Sequence, residues 1–149
     1  LNGIKGSDAS LSALKKRYKE ADNALREACA EYQKRLSAYC TPKVIELKDG
    51  TPFGPYLPKK AYKIALCVEG KEVSSEQLSA ILTDVPTRGY SEVCFVIGAF
   101  DGIPEEIKKA CDLRLSFSRL TFPHQLMRVI LLEQIYRGFN IAAGGHYHK

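Results

Sequence analysis

The chain has 149 residues, 45% hydrophobic and 26% charged, with no tryptophan, enough to bury one core and to read as a single domain over residues 1–149. Its net charge of +5 and pI near 8.9 favour anionic partners without demanding them. No apolar run approaches the roughly 18 residues that span a bilayer, and the five widely spaced cysteines form no CxxC pair, which speaks against a zinc knuckle or a thioredoxin-like motif. With no secretory pattern at the start, a reducing, cytoplasmic setting is expected.

Residues 1–7 hold two glycines and an asparagine and read as a loose start. Between 9 and 39, Leu11, Leu14, Tyr18, Ala21, Leu25, Ala28, Tyr32 and Leu36 recur at three- or four-residue steps, the spacing of one or two amphipathic helices. Those helices carry much of the positive charge. The segment 43–47 (KVIEL) alternates apolar and polar residues, predicting a half-buried strand. Two glycines and three prolines within 48–60 predict a loop.

A buried strand is expected over 62–68 (YKIALCV), ending at Glu69-Gly70-Lys71. Ser74 or Ser75 then caps a helix running to Leu82, with Glu76 in its first turn. The continuous apolar run 93–97 (VCFVI) suits a parallel strand covered on both faces. Gly98-Ala99-Phe100-Asp101-Gly102 turns it into a helix opened by Pro104, Glu105 and Glu106. A short strand follows over 113–117. The helix over 124–139 is apolar nearly all round, so it must bury itself against the sheet and a second subunit.

Strands alternating with helices indicate an α/β domain with a mainly parallel sheet, whose ligands collect beyond the carboxyl ends of the strands. Three loops leave those ends: 69–71, 98–103 and 118–123. Gly98 to Gly102 lets backbone approach a ligand closely, and it equally suits a plain strand-to-helix turn. Ser118 to Pro123 offers hydroxyls and backbone groups, or simply a helix entry capped by Thr121. His124 reads more readily as a structural histidine than as a catalyst. Tyr147 and His148 are able to hold or deprotonate a substrate; a basic tail is the plainer reading. Arg119, Arg128, Arg137 and Lys149 suit phosphate contacts. No metal is expected, because His146 and His148 are only two residues apart and no carboxylate or thiol cluster accompanies them.

The runs LSFSRLTFPHQLMRVILLEQIYRGF and YHK, with IALCVEGK, FVIGAFDGI and ACAEYQKRLSAYC, resemble the bacterial large-subunit ribosomal RNA pseudouridine N3-methyltransferases, a minimal branch of the SPOUT superfamily. The resemblance spans residues 28–149, broken in the middle. It implies a C-terminal trefoil knot, S-adenosyl-L-methionine held bent in that knot, and a homodimer that completes each site. Carried over onto this chain, the cofactor positions are Leu66, Gly98, Ala99, Ser118, Arg119, Leu120, Thr121, Phe122 and Pro123. His148 is the implied base, Tyr147 orients it or the target base, and Arg128 anchors a phosphate or braces the site. The implied partner is ribosomal RNA in the ribosome or its large subunit, with no metal and no membrane.

The chain departs from that pattern in four places. Residues 1–24 are an atypical segment in place of the usual opening strand, and the helix between the second and third strands is missing. Ala99 stands at the usual second glycine, and His146 at the usual proline before Tyr147. A rival expectation follows: a catalytically impaired or engineered knotted homodimer that keeps RNA binding without turnover. A cysteine-dependent enzyme using Cys67 with His124 is a remote third.

Overall fold

The computed structural model describes residues 8–99 and 101–148; the start at 1–7, Phe100 and Lys149 lie outside the described residues. Helix α1 (Asp8–Leu36) leads through an irregular stretch and a short 3-10 turn (Gly54–Tyr56) into β1 (Tyr62–Glu72). Then come α2 (Ser75–Asp84), β2 (Val93–Ile97), α3 (Glu105–Ala110), β3 (Leu113–Ser116) and α4 (His124–Ala142). The three strands form a parallel sheet in the order β2-β1-β3. The expected α/β architecture is therefore present.

Alternation along β1 divides the core. Ile64 and Leu66 join Leu115, Leu78, Leu82, Val85 and Leu131 on one face, under α2 and α4. Ala65 joins Val96, Ile103 and Ile107 on the other, under α3. Fully burying a side chain such as Ile64 or Leu115 contributes about 1.5–3 kcal/mol, so these two layers fix the strand ends on which the site depends.

Helix α2 begins in a capping box: the Gln77 amide donates to Ser74 Oγ at 3.1 Å, and the Ser74 amide donates to Gln77 Oε1 at 2.8 Å. Of the two expected caps, Ser74 is the one used.

Four expectations require correction. The stretch 43–47 is not a strand; Val44 and Ile45 are 41% and 50% exposed. A strand needs a neighbour to receive its amides and carbonyls, and none of the described strands pairs with this stretch. Glu46 instead fastens it, accepting from Arg26 at 2.9 Å and from Arg128. Second, Glu69-Gly70-Lys71 is not a loop but the continuation of β1. Its pairing with β3 jumps from Leu66 to Lys71, both opposite Leu115. A β-carbon on Gly70 would fall 2.6 Å from the Leu115 carbonyl carbon, so only glycine lets this bulge lie against β3.

Third, α4 packs on the sheet core as expected, through Leu131 and Ile135, but its main neighbours are α1 and α2. The α2 contact is close at Gly138, whose carbonyl accepts from Ser79 Oγ at 2.6 Å. Fourth, Pro123 rather than Thr121 sits at the N-cap of α4, with no side-chain cap bond.

Candidate functional site

Register brings the expected cofactor positions to one end of the sheet. Leu66 stands opposite Ile97 on one side and Leu115 on the other, so Gly98 leaves the sheet one residue beyond this level and Phe117 two residues beyond it, after Ser116 has paired with Glu72. The turn after β2 folds back on itself, the Gly102 amide donating to the Ala99 carbonyl at 2.9 Å. A β-carbon on Gly98 would lie 2.5 Å from the Gly102 carbonyl carbon, so the backbone at Gly98 must be bare. Ala99 is different. No non-glycine among the described residues has a positive φ, so its methyl group sits on ordinary backbone.

The loop after β3 is shaped by its own serines. Buried Ser116 donates through Oγ to the Ser118 carbonyl at 2.9 Å, and Ser118 Oγ accepts from the Leu120 amide at 3.0 Å. Arg119 donates to Glu72 at 2.9 Å, tying the loop to the end of β1. Leu120 is 70% exposed at the loop's outer edge, and Thr121, Phe122 and Pro123 carry the chain into α4. A cleft of about 270 Å³ lies beside this end of the sheet, lined by Val73, Ser74, Ser75, Phe117, Ile130 and Gln134 among others. None of the expected cofactor positions lines it.

Tyr147 and His148 are brought together, but on the far half of α4. The Tyr147 hydroxyl donates to Glu133 at 3.1 Å, its amide donates to Asn140 Oδ1 at 3.1 Å, and the Arg137 guanidinium lies 4.9 Å over its ring. Burial first, then Tyr32 and Glu133, pushes the Tyr147 phenol up to about 12; it is a hydrogen-bond donor throughout the neutral range. His148 is held at both ring nitrogens, Nδ1 3.0 Å from Arg137 Nη1 and Nε2 2.6 Å from Glu76 Oε1. Arginine only donates, so Nδ1 accepts and the ring proton sits on Nε2, facing the carboxylate. That contact holds the Glu76 carboxyl below the usual carboxylate range.

Arg128 stands apart. It lies nine residues before Arg137 on α4, about 13 Å along the axis, and is engaged by Glu46. The sequence reading passed over Glu76, seen only as a first-turn charge, and Glu133. The spacing of Glu133 and Arg137, four residues apart on one helix face, was the available signal for the latter.

The donor set suits a neutral or cationic nucleoside better than a phosphate. The three strand ends offer backbone groups and serine hydroxyls, and the cation within the loop, Arg119, is already paired with Glu72. Among the described residues no group of three histidine, cysteine or acidic side chains is placed to hold a metal, and no helix is long and apolar enough to cross a membrane.

Residues 15–148 match the family model described as predicted SPOUT methyltransferase. A protein of Streptococcus equi subsp. zooepidemicus named ribosomal RNA large subunit methyltransferase H is 43% identical, over 84% of this chain and 91% of its own. Proteins of the same name from Bifidobacterium adolescentis (42%, over 88% and 94%) and Clostridioides difficile (43%, over 80% and 87%) are similar to the same extent. With residues 15–148 matched and these relatives more than 40% identical over most of both chains, the chain belongs to the SPOUT methyltransferase family.

Proposed function

We propose that this chain methylates N3 of a pseudouridine in large-subunit ribosomal RNA, using S-adenosyl-L-methionine and acting as a homodimer with a C-terminal knot. The observation that carries the cofactor assignment is the common level of Leu66, Ile97 and Leu115, which sets the turn at Gly98 and Ala99 and the loop Ser118 to Pro123 on either side of one central strand. The names of its relatives support large-subunit ribosomal RNA as the substrate, and the resemblance carried by residues 28–149 supplies the pseudouridine N3 position.

The cofactor, when bound, supplies a methyl group already activated by a sulfonium. The protein's own work is alignment, which at its extreme is worth about 7–11 kcal/mol, and acceptance of the imide proton. Leu66 provides an apolar floor, the backbone at Gly98 and Ala99 one wall, and the loop Ser118 to Pro123, through Arg119, Leu120, Thr121 and Phe122, the other. His148 takes the proton on Nδ1 once it has left Arg137, and Tyr147 presents a hydroxyl to the substrate. Arg128 contacts a phosphate.

The loop and the tail occupy opposite ends of α4. Pro123 opens the helix, whereas the tail docks on Glu133, Arg137 and Asn140, at least about 15 Å further on. His148 also meets Glu76, four residues after the Glu72 that holds Arg119, so the tail is tied to α2 as well; in the homodimer, a tail from a second copy closes each site. The placement of Ala99 on unstrained backbone favours retained turnover over an impaired dimer.

Titration calorimetry with S-adenosyl-L-methionine, followed by methyl transfer to 50S subunits and 70S ribosomes, tests the proposal. Saturable binding and N3-methylated pseudouridine by mass spectrometry are expected. No heat at millimolar cofactor would overturn it; binding without transfer would leave the impaired dimer.

A further inference from the structure

The first half of α1 projects from the body. Residues 10–24 are exposed apart from Leu14, a rod of about 20 Å. It carries Lys15, Lys16, Arg17 and Lys19 around Tyr18, itself 61% exposed. Among the described residues none of these four cations lies in an ion pair, although Arg26 and Arg35 on the same helix do.

Helical spacing sorts them. Lys15, Lys19 and Arg26 fall on one ridge, at steps of four and seven, with Lys16 beside Lys19 three residues earlier. Arg17 lies off this ridge. From 15 to 26 there are five cations against Glu20 and Asp22. The ridge does not stop at Arg26. That side chain shares Glu46 with Arg128, two cations on one carboxylate, and Arg128 is in the first turns of α4, directly after the loop Ser118 to Pro123. The cleft between them, about 270 Å³, is lined by Arg26, Cys29, Glu46, Gln125 and Arg128 among others. Gln125 Oε1 is buried on its wall without a hydrogen-bond partner, an acceptor awaiting a donor.

We infer that this line is a track for the substrate RNA backbone, from the free end of α1 to the mouth of the site, with Lys15, Lys16 and Lys19 on phosphates and Gln125 accepting from a ribose 2′-hydroxyl or a base N–H. The inference rests on the ribosomal RNA reading above. Phosphate neutralisation by lysine releases counterions and makes affinity fall with salt, an exposed tyrosine offers a base a stacking face, and the 2′-hydroxyl is the group that marks RNA. A merely solvated basic face would show neither a continuous line to the site nor an orphaned acceptor at its end.

The test compares the full chain with a triple variant, Lys15→Gln, Lys16→Gln and Lys19→Gln, and with the three lysines changed to arginine. Circular dichroism and cofactor calorimetry report on the helix and the cradle. For the glutamine variant, affinity for a protein-free ribosomal RNA fragment should fall at least about tenfold at physiological salt, and the log–log salt slope should flatten by about two to three. The KM for 50S subunits should rise with kcat unchanged, and the arginine variant should behave as wild type.

An unchanged affinity and slope in the glutamine variant would overturn the track while leaving the methyltransferase reading intact. Weakening on intact subunits but not on protein-free RNA would assign the surface to a ribosomal protein and equally overturn it. A wild-type chain that neither binds RNA nor methylates subunits brings down the functional reading itself, and the track with it.

Discussion

His148 is clamped between an arginine that only donates and a carboxylate that only accepts, which leaves its neutral ring no free lone pair in this position. Catalysis by this imidazole therefore requires the tail to undock. Glu76→Ala removes the carboxylate side of the clamp, and faster amide exchange at Tyr147 and His148 is the expected result at neutral pH; exchange equal to wild type would mean that the contact does not hold the tail. Tyr147 makes a second prediction, in its dependence on pH. Its folded value, about 12, lies above the usual 10.0, so its contribution to docking is complete below pH 10.0 and disappears as pH climbs through about 12. The phenolate absorbance of Tyr147→Phe should lack one late-titrating step. The Glu133–Arg137 pair was legible in the sequence as a four-residue spacing. The Glu76–His148 pair spans 72 residues, and nothing local could announce it.

Elements whose identity rests on their own residues were the ones that could be read from the sequence. Ser74 and Gln77 write a capping box into four positions, and the apolar run 93–97 matches β2 residue for residue. The stretch 43–47 has the alternation of a strand and fails to be one, because pairing is a property of two segments and no described edge meets it. The bulge at Gly70 went unseen for a related reason: a glycine after an apolar run signals an ending as readily as a close approach. Gly70→Ala tests which it is. The new methyl group would sit among three Leu115 backbone atoms, all within 2.8 Å, and backbone cannot swing aside as a side chain can. A loss of at least about 2 kcal/mol is expected, read as a lower urea midpoint at unchanged slope. Ser74→Ala should cost only about 1 kcal/mol. Equal effects would mean that the bulge tolerates a side chain.

At the scale of the whole molecule, α4 is the unfinished surface. Only Leu131, Leu132 and Gly138 along it are buried, while Leu126, Met127, Val129 and Ile130 are only partly buried. A second copy packed on this face would cover it, and the tail is the segment that such a copy could exchange. If each site is built from one chain's strand ends and another's tail, two different defects should complement each other. Gly98→Val spoils the turn that must pack 2.5 Å from Gly102, and His148→Ala spoils the tail; each homodimer should be inactive. Mixing them under conditions that exchange subunits gives half heterodimers, each with one wild-type cradle facing one wild-type tail, so turnover should recover to about a quarter of wild type. Recovery cannot occur if the tail serves its own chain's loop, because every site would then carry one of the two defects. Native mass spectrometry on the same mixture confirms exchange, and a mixture that contains the heterodimer yet stays silent would place the tail's work in its own subunit.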